Sequence, residues 1–393
     1  MYKVAITNIQ AAFREIKHFS PDDWDGDYRI AAREAIKRIL EDRMKRYRDA
    51  YLDEIRLQDI DDRCNGYYPR HLLTELGDIG LSVPRTRTFS AINILNLFAR
   101  RTVNVERMIL LCFVLGLSTR KVGEALLPIL GEVISPQTVS RIAKQLDEAV
   151  ISYHKRPLSD RYKALIIDGV VMKQKTGAGS QNRIILVALG IRDDNRKEVI
   201  DFCQAQGESQ AAWEGFLNNL YNRGLKGENL KLIITDGGKG LQAALPLVYG
   251  QVPVQRCWAH KMRNILNYVK RADQKAVKAD LHKIIYAKDI IKAQKAAKRF
   301  VEKWKELYQE AVSCLSRDIV ELLTFFRVNL DLKPSELRTT NTIERRFREV
   351  RRRTRPMGVF SDRTSVERIM FAVFIYENKK EKVATLFPLT HNN

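Results

Sequence analysis

Cysteine is scarce in this chain. There are five in 393 residues, an odd number, scattered at Cys64, Cys112, Cys203, Cys257 and Cys314. A disulfide framework needs paired and patterned cysteines, so reduced thiols in a reducing compartment are expected. Long hydrophobic runs are also missing. The longest, Ile109 to Leu117, falls far short of the ~20 apolar residues that cross a bilayer. The opening Met1-Tyr2-Lys3-Val4-Ala5 has no charged segment leading into an apolar core, so nothing suggests a secretory leader. The expectation is a soluble protein of the cytoplasm. Negative charge is the largest shortfall: 47 Asp and Glu stand against 68 Lys and Arg, giving a formal charge of +21 and a pI near 9.8. Such an excess attracts polyanions, and phosphate neutralisation by Lys and Arg is the main source of nucleic-acid affinity. A chain of this length has room for two or three domains with real cores.

Two carboxylates stand where a buried strand should carry none. Leu165-Ile166-Ile167-Asp168-Gly169 and Leu232-Ile233-Ile234-Thr235-Asp236-Gly237 are β-branched runs of the kind that form buried strands, and each delivers one aspartate. Val170-Val171-Met172 extend the first run, which puts Asp168 inside a strand rather than past its end. A lone buried carboxylate is costly. Two on neighbouring strands make a site for a hard cation such as Mg²⁺, which takes one or two carboxylates plus substrate phosphates. The alternative is that each Asp-Gly only marks a turn.

The chain up to about residue 50 reads as helical, with Ile30, Ala31, Ala35, Ile36, Ile39 and Leu40 on one apolar face. Leu72–Leu76 and Ile79–Val83 flank Gly77-Asp78 as a small β-hairpin that runs into Arg85 and Arg87, suited to phosphates or to a solvated tip. From Val105 to Val150 the pattern is helical again. One helix starts at Ser118 and ends near Leu130-Gly131; another opens at Ser135-Pro136, with Ser135 as N-cap and Pro136 in the first helical position. The second would present Gln137, Thr138, Ser140, Arg141 and Lys144 to phosphates and base edges, as in a helix-turn-helix, or would be one of an ordinary helical pair.

Strands are expected at Ala164–Lys173, Asn182–Leu189, Glu198–Cys203, Leu230–Thr235 and Val252–Gln255, with helices at Gln210–Arg223 and Lys239–Tyr249. This order describes an α/β domain on a mixed sheet whose first and fourth strands are central neighbours. Some eighty helical residues follow Trp258, with an apolar face at Leu307, Val312 and Leu315. The stretch Leu337–Arg355 is the most charged in the chain: seven of the eleven residues from Arg345 to Arg355 are Arg. With Asn341 as N-cap, Glu344 falls at the third helical position, where a capping box explains it. The arginines need a different reason, and Arg345, Arg348 and Arg352 are candidates to line a phosphate backbone.

Taken together, Asp168, Asp236 before Gly237, Cys257-Trp258-Ala259-His260, and Thr339-Thr340-Asn341-Thr342-Ile343-Glu344 resemble the Mutator-like transposases of bacterial insertion sequences. Thr74-Glu75-Leu76-Gly77, Val83-Pro84-Arg85, Leu117-Ser118-Thr119-Arg120 and Arg256-Cys257 add to the likeness, which spans roughly residues 65 to 375. The resemblance implies a ribonuclease-H-like catalytic domain with a mixed five-stranded sheet and flanking helices, interrupted by an all-helical insertion and preceded by a mainly helical DNA-binding region with a small hairpin. On that basis the expected parts are 1–60 (helical), 61–150 (DNA binding and dimerisation), 151–258 (catalytic core), 259–335 (insertion), 336–378 (final core helices) and 379–393 (tail).

Asp168, Asp236 and Glu344 become the catalytic, metal-holding triad for two Mg²⁺ ions, with Mn²⁺ able to substitute; Cys257 and His260 become its rim, and Lys261 and Arg263 DNA contacts beside it. Cys257 and His260 also have the spacing of half a zinc site, without a second pair nearby. Trp258 is expected to pack in a core rather than stack on a base. The implied partners are double-stranded DNA, as transposon ends and target, and a second copy of the chain. The implied reaction is 3′-end cleavage and strand transfer by a copy-out-paste-in route. The competing readings are a catalytically idle DNA-binding protein and a structure-specific nuclease on the same fold.

Overall fold

A computed structural model of the chain describes residues 24–92, 100–176, 179–355, 358–360 and 362–378. The described residues divide into two compact units, which adjoin in sequence at Gln145 and Leu146.

The first unit holds α1 (Trp24–Arg56), β1 (Cys64–Thr74), β2 (Gly77–Thr86), α2 (Val103–Val114), α3 (Thr119–Leu130) and α4 (Pro136–Lys144). Ile36, Leu40 and Met44 of α1 pack on Leu72, Ile79, Leu81 and Val83 of the hairpin. Ile30 and Ile39, expected on that apolar face, are instead exposed. The hairpin forms where expected, but its turn is Glu75-Leu76, with Thr74 paired to Gly77. The Thr74 side chain explains the shift: its Oγ1 donates to Gly77 O at 2.8 Å and accepts the Leu76 N–H at 3.2 Å. The starts of α3 and α4 are those the sequence predicts. Ser118 Oγ accepts the Lys121 N–H and Ser135 Oγ the Thr138 N–H, satisfying donors left free in a first helical turn.

The second unit opens with α5 (Leu146–Lys155), then β3 (Tyr162–Thr176), β4 (Gly179–Arg192) and β5 (Lys197–Ala205). Next come α6 (Gln210–Asn222), β6 (Leu232–Thr235), α7 (Lys239–Tyr249) and β7 (Val254–Arg256). A run of helices follows: α8 (Trp258–Leu266), α9 (Gln274–Ile285), α10 (Ile290–Trp304), α11 (Gln309–Leu322) and the short α12 (Pro334–Leu337), before α13 (Asn341–Thr354) and α14 (Arg363–Asn378).

The sheet order is β5-β4-β3-β6-β7, so the first and fourth strands of this unit are indeed neighbours. The first three strands form an antiparallel meander, while β6 runs parallel to both β3 and β7. Residues 164–167 of β3 are fully buried because helices cover both faces of the sheet. On one face, Trp213, Phe216, Leu241 and Leu245 from α6 and α7 pack on Leu165, Ile167 and Ile233. On the other, Phe374 of α14 meets Phe202 of β5 edge-on at 5.5 Å, and Phe371 meets Tyr153 of α5 at 5.3 Å.

The helical run is clasped to the sheet at one end. Trp258 is buried and donates Nε1–H to Leu322 O at 2.7 Å; Gln255 donates to the same carbonyl at 3.0 Å and accepts the Phe325 N–H at 2.8 Å. Core packing is therefore the role of Trp258. Val312 and Leu315 are buried as expected, but Leu307 is exposed. No described helix is long and apolar enough to cross a membrane.

Candidate active site

Asp168 sits in the middle of β3 and is only 8% exposed. The last pair between β3 and β6 is Ile167 with Thr235, so the chain leaving β6 presents Asp236 at the next level. Adjacent strands lie about 4.8 Å apart, and the two aspartates share one edge of the sheet. Alternation along β3 turns Leu165 and Ile167 toward α6 and α7, which directs Asp168 to the opposite face, the one α13 packs against.

The turn after Asp236 has two constraints. Asp236 Oδ1 accepts the Gly238 N–H at 2.9 Å, so the carboxylate also shapes its own turn. Gly237 has φ +88°, and a Cβ there would lie 2.3 Å from the Arg256 guanidinium. Arg256 donates to Gly237 O at 2.6 Å and is ion-paired with Asp318 and Glu321, which fixes the Asp236 turn to α11.

Glu344 comes from α13, whose buried Ile343, Phe347 and Val350 seat it against the sheet. The helix begins at Asn341 with Thr340 as N-cap, so Glu344 occupies the fourth helical position and the capping-box explanation fails. Its Oε1 lies 3.6 Å from His260 Nε2 and 3.3 Å from Thr340 Oγ1. The Thr340 hydroxyl is also 3.3 Å from Cys257 Sγ and 3.4 Å from His260 Nδ1. With a single proton it joins these groups one at a time, and the Thr340 backbone N–H gives the sulfur a second donor at 3.3 Å. Cys257 and His260 thus face each other and Thr340 at the start of α8, with Glu344 beside His260.

The charges are crowded. Burial, then the Asp236 charge, pushes the Asp168 carboxyl up to about 7, with a smaller push from Glu344 and opposing pulls from the Gly169 N–H and His260. His260 is raised to about 9, chiefly by its hydrogen bond with Cys257, against burial and with help from Asp168 and Glu344. Burial would raise the Cys257 thiol, but hydrogen bonds from His260 and Thr340 outweigh it and lower it.

A fourth carboxylate, absent from the sequence reading, adds to the crowding. Glu208 lies between β5 and α6, and its Oε1 would be 2.4 Å from a Cβ on Gly169; its Oε2 would be 3.8 Å from one on Gly238, whose nearest neighbour is Asp236 Oδ1. Burial and the Asp236 charge both raise its pKa. The absent side chain of Gly169 is what admits it. The one signal in sequence was Gly207-Glu208-Ser209 before a helix, which reads equally well as a capped helix start.

Among the described residues no three His, Cys, Asp or Glu side chains stand close enough together to enclose an ion. The donor set nevertheless fits Mg²⁺ or Mn²⁺, which are held by a few hard oxygens and completed by substrate phosphates rather than by an all-protein cage.

The residues expected to meet DNA divide into two groups. Gln137, Ser140, Arg141 and Lys144 form one exposed face of α4; Arg85 and Arg87 are exposed at the end of β2, and Arg263, Arg345, Arg348 and Arg352 are exposed on α8 and α13. Arg352 is held 3.1 Å from Glu349. Thr138 and Lys261 must be corrected. Thr138 is buried beneath its cap, with Ser135 Oγ 3.1 Å from its hydroxyl. Lys261 is buried and ion-paired with Asp318, next to Arg256. Two of the six arginines of α13 also turn inward: Arg346 pairs with Glu377 at 2.6 Å, and Arg353 is 1% exposed against Glu349 and Glu377.

A family model described as "Transposase, Mutator family" matches residues 8–382. The chain is 31% identical over 319 residues to the transposase for insertion sequence element IS905 of Lactococcus lactis, covering 81% of this chain and 80% of that protein. It is 29% identical over 388 residues to the transposase for ISRM5 of Rhizobium meliloti (97% and 94% covered). The transposase for IS256 in transposon Tn4001 of Staphylococcus aureus is 31% identical over 330 residues (80% and 83% covered).

Proposed function

This chain belongs to the Mutator family of transposases, and from that premise we propose that it cuts and joins DNA at the ends of an insertion sequence, using Asp168, Asp236 and Glu344 as the catalytic carboxylates of a ribonuclease-H-like domain. The observation that carries the reading is the anionic edge itself: Asp168 is buried beside Asp236, within the field of Glu344, and binds a proton far more tightly than an ordinary aspartate. In this reading Asp168, Asp236 and Glu344 would together hold two Mg²⁺ ions. When bound, such ions lower the pKa of an attacking water or 3′-hydroxyl and stabilise the leaving oxygen of a phosphodiester. No side chain needs to act as a covalent nucleophile.

The protein's own part is placement. β3 and β6 fix the two aspartates, Arg256 holds the Asp236 turn, and His260 with Thr340 orients Glu344. The helices α8 to α12 then correspond to an insertion in the catalytic fold. The exposed face of α4 suits the terminal inverted repeats, as in a helix-turn-helix, and the outward arginines of α13 suit the backbone near the cut. Pairing two ends requires at least two protomers, so the working form is a homodimer acting on cytoplasmic DNA. The resemblance to insertion-sequence transposases extends the proposal to a copy-out-paste-in route.

A strand-transfer assay tests the reading. Full-length protein, labelled end DNA and Mg²⁺ should give a free 3′-OH and then a joined product. Binding without cleavage would leave an idle DNA binder, and cleavage without joining a nuclease.

A further inference from the structure

Away from the carboxylates, α9 and α10 enclose a cavity of about 550 Å³ whose lining has one acidic side chain, Asp280, and five basic ones, Lys283, Lys292, Lys295, Arg299 and Lys303. Asp280 is already committed. It accepts from Lys283 and Lys303, each at 2.7 Å, and from Trp304 Nε1 at 3.1 Å. Lys292 lies 3.7 Å from Asp289 at the helix start. Among the described residues no carboxylate pairs with Lys295 or Arg299, both of which are exposed.

The arrangement is directional. On α10 the buried face is Ala293, Ala297, Phe300 and Trp304, while the sole acid of the helix, Glu302, is 4.0 Å from Lys298, which does not line the cavity. Lys292, Lys295, Arg299 and Lys303 therefore form a stripe of one sign beside the buried face. Its twelve-residue span measures about 16 Å at the α-helical rise. A solvated helix face ordinarily mixes signs. Like charges held around a concavity repel one another unless an anion enters.

We infer that this cavity is a docking site for the phosphodiester backbone of duplex DNA, separate from the carboxylate edge. The stripe is too long for a single phosphate and runs alongside several successive phosphates of one strand, which are spaced about 3.4 Å along the duplex axis. No amide or hydroxyl side chain lines the cavity to read base edges, so its contribution is independent of sequence. The inference rests on the proposed DNA-processing role and assigns the helical run a share of DNA holding.

The test is duplex affinity of the full chain measured from 50 to 300 mM salt, for an end-sequence duplex and a scrambled one. Lys295→Ala with Arg299→Ala should lower the slope of log affinity against log salt by about 2 and weaken both duplexes about tenfold or more. The thermal midpoint should stay unchanged, since both side chains are exposed. Lys298→Ala, on the paired outer face, should leave the slope unaltered. An unchanged slope in the double variant, or an equal fall with Lys298→Ala, overturns the inference while leaving the transposase reading intact. Loss of inorganic pyrophosphate binding with DNA affinity unchanged would also overturn it, in favour of a small-anion site. Absence of any DNA binding by the unaltered protein would sink the transposase reading and this inference together.

Discussion

Asp168 is held where its own charge is unwelcome. Its folded pKa is about 7 against an ordinary 3.8, so without metal it supports folding fully below about pH 4, and that support is lost as pH rises through 7. A tenfold change in proton affinity corresponds to about 1.4 kcal/mol. In chelator at pH 8, Asp168→Asn should therefore be more stable to denaturant than the unaltered protein by a few kcal/mol, and the two should converge near pH 4. Mg²⁺ should stabilise the unaltered protein and have little effect on the variant; an Asn variant that is less stable at pH 8 would contradict this. Glu208→Gln should act in the same direction by a smaller amount, because relief of one more charge beside Asp236 is the same physics at a more exposed site.

Single residues also mark the limit of what sequence conveys. Asp168 was legible because a charge inside a β-branched run has few explanations. Glu208 was not, because its approach depends on the missing side chain of Gly169 and on a loop whose path no local pattern fixes. Lys261 reads as a surface lysine until Asp318, far along the chain, is folded against it. Thr138 was misread despite a usable sign: it lies four residues before Ile142, on the buried side of α4.

At the scale of elements, periodicity located the strands of the sheet and the starts of α3, α4 and α7, since alternation, apolar runs and serine caps are local. The hairpin turn was displaced because a threonine side chain, rather than Gly77-Asp78, closes it. Glu344 had a local explanation that the structure removes, since α13 starts one residue earlier than a capping box on Glu344 needs. His260→Ala tests what replaces it: cleavage should fall about 10- to 100-fold, as when a partner orienting a metal ligand is lost, and purified protein should contain no stoichiometric zinc. A zinc signal that disappears with the substitution would return Cys257 and His260 to metal binding. Trp258→Ala, which empties the clasp between the sheet and α11, should destabilise the protein by about 3–5 kcal/mol in denaturant unfolding. A change below about 1 kcal/mol would mean that the clasp contributes little.

For the whole molecule, the surplus of positive charge is divided between work and structure. Arg256, Lys261, Arg346 and Arg353 are spent inside on Asp318, Glu377 and their neighbours, while the outward faces of α4, α10 and α13 carry exposed basic side chains. Association with DNA should weaken steeply with salt, and Arg141→Ala with Lys144→Ala should reduce the preference for end sequence over scrambled duplex without lowering the thermal midpoint; equal losses on both duplexes would remove α4 from recognition. The proposed catalytic role of Asp168, Asp236 and Glu344 is tested most directly by Mg²⁺-dependent cleavage of labelled end DNA, comparing the unaltered protein with Asp168→Asn, Asp236→Asn and Glu344→Gln. Each variant should lose about 10³-fold or more in rate, a barrier change of roughly 4 kcal/mol, while its affinity for the same DNA stays within about twofold. Any one of the three cutting at the unaltered rate would contradict the account.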